Sequence, residues 1–159
     1  MRSLSAALGL ALSAGACAGS PPPAELRGLW SAGDAACEMG VGVRFGADAI
    51  AAVYDEQREV LFKHPEYAVM EDAGGVFRVR VVYELPQRPG GARSVGAHGV
   101  LVLERTSEGG LALASHNLLD ARTGSARVRI ADDPAARVLG LEPCGDHPWR
   151  QGLRGRGGA

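Results

Sequence analysis

Cysteine and histidine are the side chains in this sequence with the widest chemistry, and there are few of them. The chain has three cysteines and four histidines: Cys17, Cys37, Cys144, His64, His98, His116 and His147. Thiols can pair as disulfides, and imidazoles can bind metal ions or transfer protons. An odd number of cysteines in an exported protein leaves one thiol that a disulfide cannot account for. One of the three must therefore have a separate role.

The segment before Cys17 has the layout of a secretory signal peptide. Arg2 gives a short positive start, Leu4–Ala14 is an apolar run, and Ala14-Gly15-Ala16 supplies the small residues of a cleavage site. The apolar run is much shorter than the ~20 residues that a helix needs to span a bilayer. We therefore predict that the chain is exported and that residues 1–16 are removed as a signal peptide.

Small residues that run into a cysteine also resemble the lipobox of bacterial lipoproteins. The resemblance rests on Ala14-Gly15-Ala16-Cys17, and it departs from the family at Ala14, where Leu is usual. It implies lipid on Cys17 and a periplasmic protein anchored to the outer membrane, because Ala18 replaces the Asp that commonly retains lipoproteins at the inner membrane. The alternative is ordinary signal-peptidase cleavage, which would give a soluble periplasmic or secreted protein.

Lipidation of Cys17 would also simplify the remaining cysteines. Residues 17–24 carry Pro21-Pro22-Pro23 among small residues, and they are predicted to form a flexible tether. Cys37 and Cys144 then remain as a pair, which could form a disulfide in an oxidising periplasm. Closing so long a loop is worth roughly 4–5 kcal/mol in the chain-entropy model. The alternative is two separate buried thiols.

The histidines do not have the spacing of a catalytic or metal site. The sequence has no His-x-His or His-x3-His pair and no Gly-x-Ser-x-Gly nucleophile motif. His98 and His116 fall on neighbouring predicted strands and could face each other across a hairpin. Ser115-His116-Asn117 could line a pocket, although ordinary alternation of polar residues explains it equally well. We therefore predict no enzyme activity, no metal site and no cofactor.

Charge excludes one further class of partner. The net charge is −1, and loss of Arg2 with the signal peptide makes it −2, whereas a nucleic-acid partner requires a basic surface. Among the basic residues only Lys63 is a lysine, a bias that fits a GC-rich genome. The final segment, residues 150–159, is rich in Arg and Gly and is predicted to be a disordered tail.

Apolar and polar residues alternate in several short segments, as is typical of half-buried strands. The clearest is Val76–Leu85, where Phe77, Val79, Val81, Tyr83 and Leu85 share one face. The other candidate strands are Met39–Gly46, Val95–Arg105, Leu111–Leu119 and Ala126–Ala131. Glycine-rich turns separate them. The pattern predicts an all-β fold, a single antiparallel barrel or sandwich formed by residues 25–149.

One segment fits two kinds of structure. Asp48–Phe62 places Ile50, Val53, Tyr54 and Leu61 at helical spacing, so residues 48–62 could form one helix. The same residues also form two short strands around a turn at Asp55. We favour strands because the neighbouring segments are strands. A Cys37–Cys144 disulfide would bring the first and last strands together. Trp30 and Trp149 would then lie at one end of the barrel, or they are two unrelated aromatic residues of the core.

The start of the β-domain resembles two groups of exported β-barrels. Leu26, Gly28 and Trp30, followed by Cys37, are similar to the Gly-x-Trp of lipocalins and to the Leu-x-Gly-x-Trp start of bacterial metalloprotease inhibitors. The resemblance implies either a binder of a small apolar ligand or a protease inhibitor. Our main prediction is a membrane-tethered periplasmic lipoprotein with a non-enzymatic accessory or envelope role and a protein partner of unknown identity.

Overall fold

A computed structural model of the chain describes residues 20–70, 76–86, 98–120, 123, 125–129 and 140–145, with backbone only for residues 126–129. The predictions for the signal peptide, Cys17, most of the tether, the tail, His147 and Trp149 lie outside these residues. Within them, no helix is long and apolar enough to cross a bilayer.

Most of the regular secondary structure in the described chain is strand. A single 3-10 turn, Ala24–Leu26, and one short helix, α1 (Asp34–Glu38), accompany nine strands. The strands are β1 (Leu29–Ser31), β2 (Gly42–Phe45), β3 (Ala49–Tyr54), β4 (Gln57–Met70), β5 (Arg78–Glu84), β6 (His98–Arg105), β7 (Leu111–Leu119), β8 (Ala126–Arg129) and β9 (Glu142–Pro143). The all-β prediction is confirmed.

The strands form one antiparallel sheet in the order β8-β7-β6-β5-β4-β3-β2-β1-β9. Among the described residues no ladder closes this sheet, but its two ends approach each other. Leu111 at the start of β7 and Leu141 just before β9 form an isolated bridge, with N–H···O distances of 2.7 and 2.8 Å. The described sheet therefore curves far enough for Leu111 and Leu141 to meet, as in an open barrel.

Strand β4 bends and belongs to both halves of the sheet, the half formed with β1–β3 and the half formed with β5–β8. Its first part pairs with β3 as far as Lys63, and its second part pairs with β5 from Lys63 to Met70. The register shifts between Lys63 and Glu66, where His64 has a positive φ of 45° and Pro65 is buried. A proline within a sheet is tolerated at such an irregularity because the ladder is already interrupted there.

The segment that fitted both a helix and two strands is a hairpin. Strands β3 and β4 meet at a turn through Asp55, whose φ is 56°. The preference for strands is therefore confirmed, and a helix over residues 48–62 is wrong. The predicted strand Met39–Gly46 begins too early, because α1 reaches Glu38 and Met39 ends it with 62% of its surface exposed.

The core lies between the two halves of the sheet. Strand β5 contributes the alternating set expected from its sequence, since Val79, Val81 and Tyr83 are buried and Phe77 and Leu85 pack against the core. The other buried apolar members of the cluster are Leu26, Trp30, Phe45, Ile50, Leu101, Leu103 and Leu111. Large side chains thus fill the inner face from both halves.

The Leu-x-Gly-x-Trp segment has a structural role. Leu26 and Trp30 have no exposed surface, and the Trp30 Nε1–H donates to the Leu26 carbonyl oxygen at 3.1 Å. Gly28 lies between them with a φ of 102°, a conformation that side chains disfavour. The motif therefore folds the entering chain back onto the first strand and closes part of the core.

Candidate functional site

Two of the three cysteines are paired. Cys37 in α1 and Cys144 after β9 form a disulfide with their Cα atoms 5.5 Å apart. Cys144 also donates its backbone N–H to the Leu29 carbonyl oxygen at 2.8 Å. Strands β1 and β9 are therefore paired by a ladder, and a covalent bond links the segments that follow each of them. Cys17 is the one cysteine of the chain left over.

The polar centre of the barrel is a contact between Tyr83 and His116. Tyr83 on β5 is 1% exposed, and its hydroxyl hydrogen-bonds to His116 Nε2 on β7. Because the imidazole is the stronger base, we assign the phenol as donor and Nε2 as acceptor. Phe62 packs against Tyr83 with ring centroids 3.9 Å apart and presents its edge to His116 at 6.1 Å.

Burial sets the protonation state of this pair. It raises the pKa of the Tyr83 phenol to about 12 and lowers the pKa of His116 below its ordinary value. Among the side chains that the structure describes, the two that face His116 are apolar: Leu101 lies opposite it on β6, and Phe62 packs toward it from β4. Both groups are therefore neutral at pH 7, and the pair forms a structural hydrogen bond within an apolar surrounding.

The neutral state of His116 makes the fold sensitive to acid. The unfolded chain binds a proton at His116 near pH 6.5, whereas the folded chain binds it only at lower pH. The contribution to stability is therefore complete above pH 6.5 and is lost as the pH falls through the folded pKa. We expect the urea midpoint of unfolding to fall between pH 7.5 and pH 5.

The matched control for acid sensitivity is the other histidine on the same hairpin. We expect His116→Gln to flatten the pH dependence of the urea midpoint, while His98→Gln leaves most of it in place, because His98 lies on the outer face. An equal slope in wild type and His116→Gln would show that other groups cause the acid sensitivity.

A second polar cluster lies on the outer face where β4 bends. His64 Nδ1 is 3.1 Å from one carboxylate oxygen of Glu84, and His98 Nε2 is 3.7 Å from the other. All three side chains are well exposed, so their contacts are screened by solvent and contribute little to stability. Within the described residues, no group of three or more His, Cys, Asp or Glu side chains is arranged to hold a metal ion.

His98 and His116, which the sequence suggested could face each other across a hairpin, lie on opposite faces of the sheet. His98 pairs with Leu119 and points outward to Glu84, whereas His116 pairs with Leu101 and points inward. The prediction that they face each other across the hairpin is wrong. The polar run around His116 is also split between faces, because Ser115 lies opposite the outward Val102, so no shared pocket lining results.

The sequence pattern places Tyr83 on the inward face of its strand, as the structure does. It does not reveal the hydrogen bond between the Tyr83 hydroxyl and His116. The signal was present in part, since a tyrosine within an apolar face needs a hydrogen-bond partner when it is buried. Tyr83, His116 and Phe62 are held together by one hydrogen bond and by ring packing, so they form a single packed unit of the core. Comparisons of the chain with models of known families, with curated proteins and with solved structures found no match.

Proposed function

We propose that this chain is an exported lipoprotein whose β-domain has a non-enzymatic accessory role at the outer membrane. The observation that carries the proposal is the pairing of Cys37 with Cys144. Disulfides persist in oxidising compartments such as the periplasm. The pairing also leaves Cys17, between the apolar leader and the Pro-rich segment, as the cysteine available for lipid.

The packing of the barrel supports an accessory role over ligand storage. A lipocalin-like binder needs inward positions small enough to leave room for a ligand. Here Trp30, Phe62 and Tyr83 all point to the inside, and Tyr83 reaches across the sheet to His116. The inner face is occupied by the protein's own side chains, which leaves the outer surface for contacts with partners.

Substitution of the lipid-bearing cysteine tests the proposal. In a Gram-negative host we expect the full chain to partition with membranes and to have the mass of residues 17–159 plus a lipid adduct. We expect the Cys17→Ser chain to carry no lipid adduct, because the lipid is attached through a thioether to the cysteine sulfur. We also expect the amount of mature chain in the membrane fraction to fall at least tenfold. Fractionation with intact mass spectrometry measures both quantities.

The control is Ser20→Ala, which changes the tether and keeps the cysteine, and which we expect to behave as wild type. A wild-type chain found in the soluble fraction with an unmodified Cys17 would refute the anchor. Membrane partition that Cys17→Ser leaves unchanged would show that another feature of the chain binds the membrane.

A further inference from the structure

The second part of β4, Glu66–Met70, is exposed on both of its faces. Val69 and Met70 are 53% and 42% exposed, and Glu66 and Ala68 are also exposed. Tyr67 alone is half-buried. A strand inside a sheet that covers a core buries at least one face, so this pattern is typical of an edge strand.

Among the strands that the structure describes, only one pairs with this segment, along one of its two backbone edges. Strand β5 pairs along the first edge, from Lys63 to Met70, whereas the β3 ladder on the other edge ends at Lys63. Past that point the inward Tyr67 hydroxyl donates to the Gly46 carbonyl oxygen at 2.9 Å, which holds the β2–β3 turn over the inner face. Within the described ranges, the outer edge of Glu66–Met70 is open.

Open edges in natural sheets usually carry devices that block pairing, such as proline, lysine or a bulge. Such devices lie just before the segment, where Lys63, Pro65 and the register shift are found. From Glu66 to Met70 the strand contains no proline or lysine, pairs with β5 in regular register, and carries the single charge of Glu66. The first part of β4 differs, since Arg58 and Glu59 give it two charges. The open edge is therefore suited to receive another strand.

We propose that a second copy of this chain pairs antiparallel along Glu66–Met70, giving a two-fold dimer with Ala68 at the axis. In this register Glu66 of one copy lies opposite Met70 of the other, and Val69 lies beside Tyr67. The two Glu66 carboxylates are then about 14 Å apart along the strands, which exceeds the screening length of about 8 Å at physiological salt. Parallel in-register pairing would place them side by side.

The size of the contact sets its strength. A five-residue edge covers far less than the roughly 1,600 Å² of a standard stable interface, so the dimer is weak in free solution. Copies anchored in one membrane have a much higher effective concentration, which makes a weak contact sufficient. This last step rests on the proposed lipid anchor, whereas the contact itself does not.

Cross-linking at the symmetry axis tests the register. Directly opposed residues of antiparallel strands have Cα atoms about 4.5–5.5 Å apart, within the range that a disulfide bridges. We expect Ala68→Cys in the full chain to give at least tenfold more disulfide-linked dimer on non-reducing gels than Val60→Cys. Val60 is a matched control because it lies on the same strand and is 37% exposed.

A blocked edge provides the second arm of the experiment. Adding Val69→Lys to the Ala68→Cys chain should reduce the cross-linked fraction at least fivefold, while Tyr54→Lys, at an exposed residue of β3, should not. If Val69→Lys lowers the thermal midpoint, Met70→Lys replaces it. Equal cross-linking at positions 68 and 60, or no response to the blocking lysine, overturns the dimer. If Ala68→Cys cross-links while intact mass shows that Cys17 carries no lipid, the dimer is supported and only the anchor is refuted.

Discussion

Removal of the disulfide, by Cys37→Ala together with Cys144→Ala, is expected to lower the free energy of unfolding by about 4 kcal/mol. The sulfurs join residues 107 positions apart in the sequence. A cross-link over so long a loop removes many conformations from the unfolded chain. Typical domains are stable by only about 5–15 kcal/mol, so a loss of this size brings the domain close to unfolding at physiological temperature.

The elements that the disulfide joins are weakly held without it. Strand β9 pairs with β1 through two residue pairs, Trp30 with Pro143 and Ser31 with Glu142. The Leu111–Leu141 bridge lies just before β9, so it depends on the same short segment. We therefore expect loss of the disulfide to release β9 from β1 and to break the Leu111–Leu141 bridge, so that the two ends of the sheet separate.

Equilibrium urea unfolding of oxidised wild type and the double variant measures the effect, with Cys17→Ala as the control that removes a cysteine outside the pair. Mass spectrometry without reduction verifies that wild type carries the Cys37–Cys144 bond. A difference below about 1 kcal/mol would contradict the proposed role of the disulfide. A smaller urea dependence of the unfolding free energy in wild type is also expected, because the cross-linked unfolded chain exposes less surface.

The parts of the fold that follow local alternation were predictable from the sequence. Strand β7 begins and ends at the predicted residues, Leu111 and Leu119, and the inward set of β5 is the one that its pattern indicates. Both strands are bounded by turn residues, and β5 has one apolar face throughout, so for these features the local signal and the tertiary structure agree. The pairing order of the strands, in contrast, depends on contacts between distant residues.

The inward orientation of His116 could not be predicted, because it depends on a bulge. Strict alternation from Leu111 and Leu113 places Ser115 inside and His116 outside. The register with β6 shifts between Val102 and Leu103, which leaves Ala114 as an extra residue and reverses the faces beyond it. A bulge depends on two strands together, so the sequence of β7 alone does not reveal it.

Helix α1 and the length of β4 were missed for related reasons. Helix α1 has only five residues and no side-chain cap, so it carries little helical signal. Strand β4 continues through Pro65, a residue that ordinarily argues against an internal strand. In both cases tertiary packing overrides the local preference. The open edge of Glu66–Met70 is a consequence of the unexpected length of β4.

Gly99→Ala is expected to destabilise the domain by about 3 kcal/mol, although a single methyl group is added. Gly99 on β6 lies opposite Tyr83, and a Cβ at Gly99 would be 2.1 Å from the phenol oxygen and from the ring carbon that bears it. The ring cannot move aside freely, because Phe62 packs on it and His116 binds its hydroxyl. Overpacking of a fixed side chain in a core costs about 1–3 kcal/mol.

A double-mutant cycle separates this collision from a general intolerance of alanine at Gly99. Tyr83→Leu removes the atoms that the new methyl group would meet, so Gly99→Ala should cost less than about 1 kcal/mol in that background. Gly140→Ala is the matched control, since a Cβ there would have its nearest neighbour, the Leu111 carbonyl oxygen, at 4.0 Å. Equal costs of Gly99→Ala in both backgrounds would mean that the strand backbone, and not the Tyr83 ring, requires glycine. A reduced cost would show that the absence of a side chain at Gly99 is what allows the phenol to reach His116.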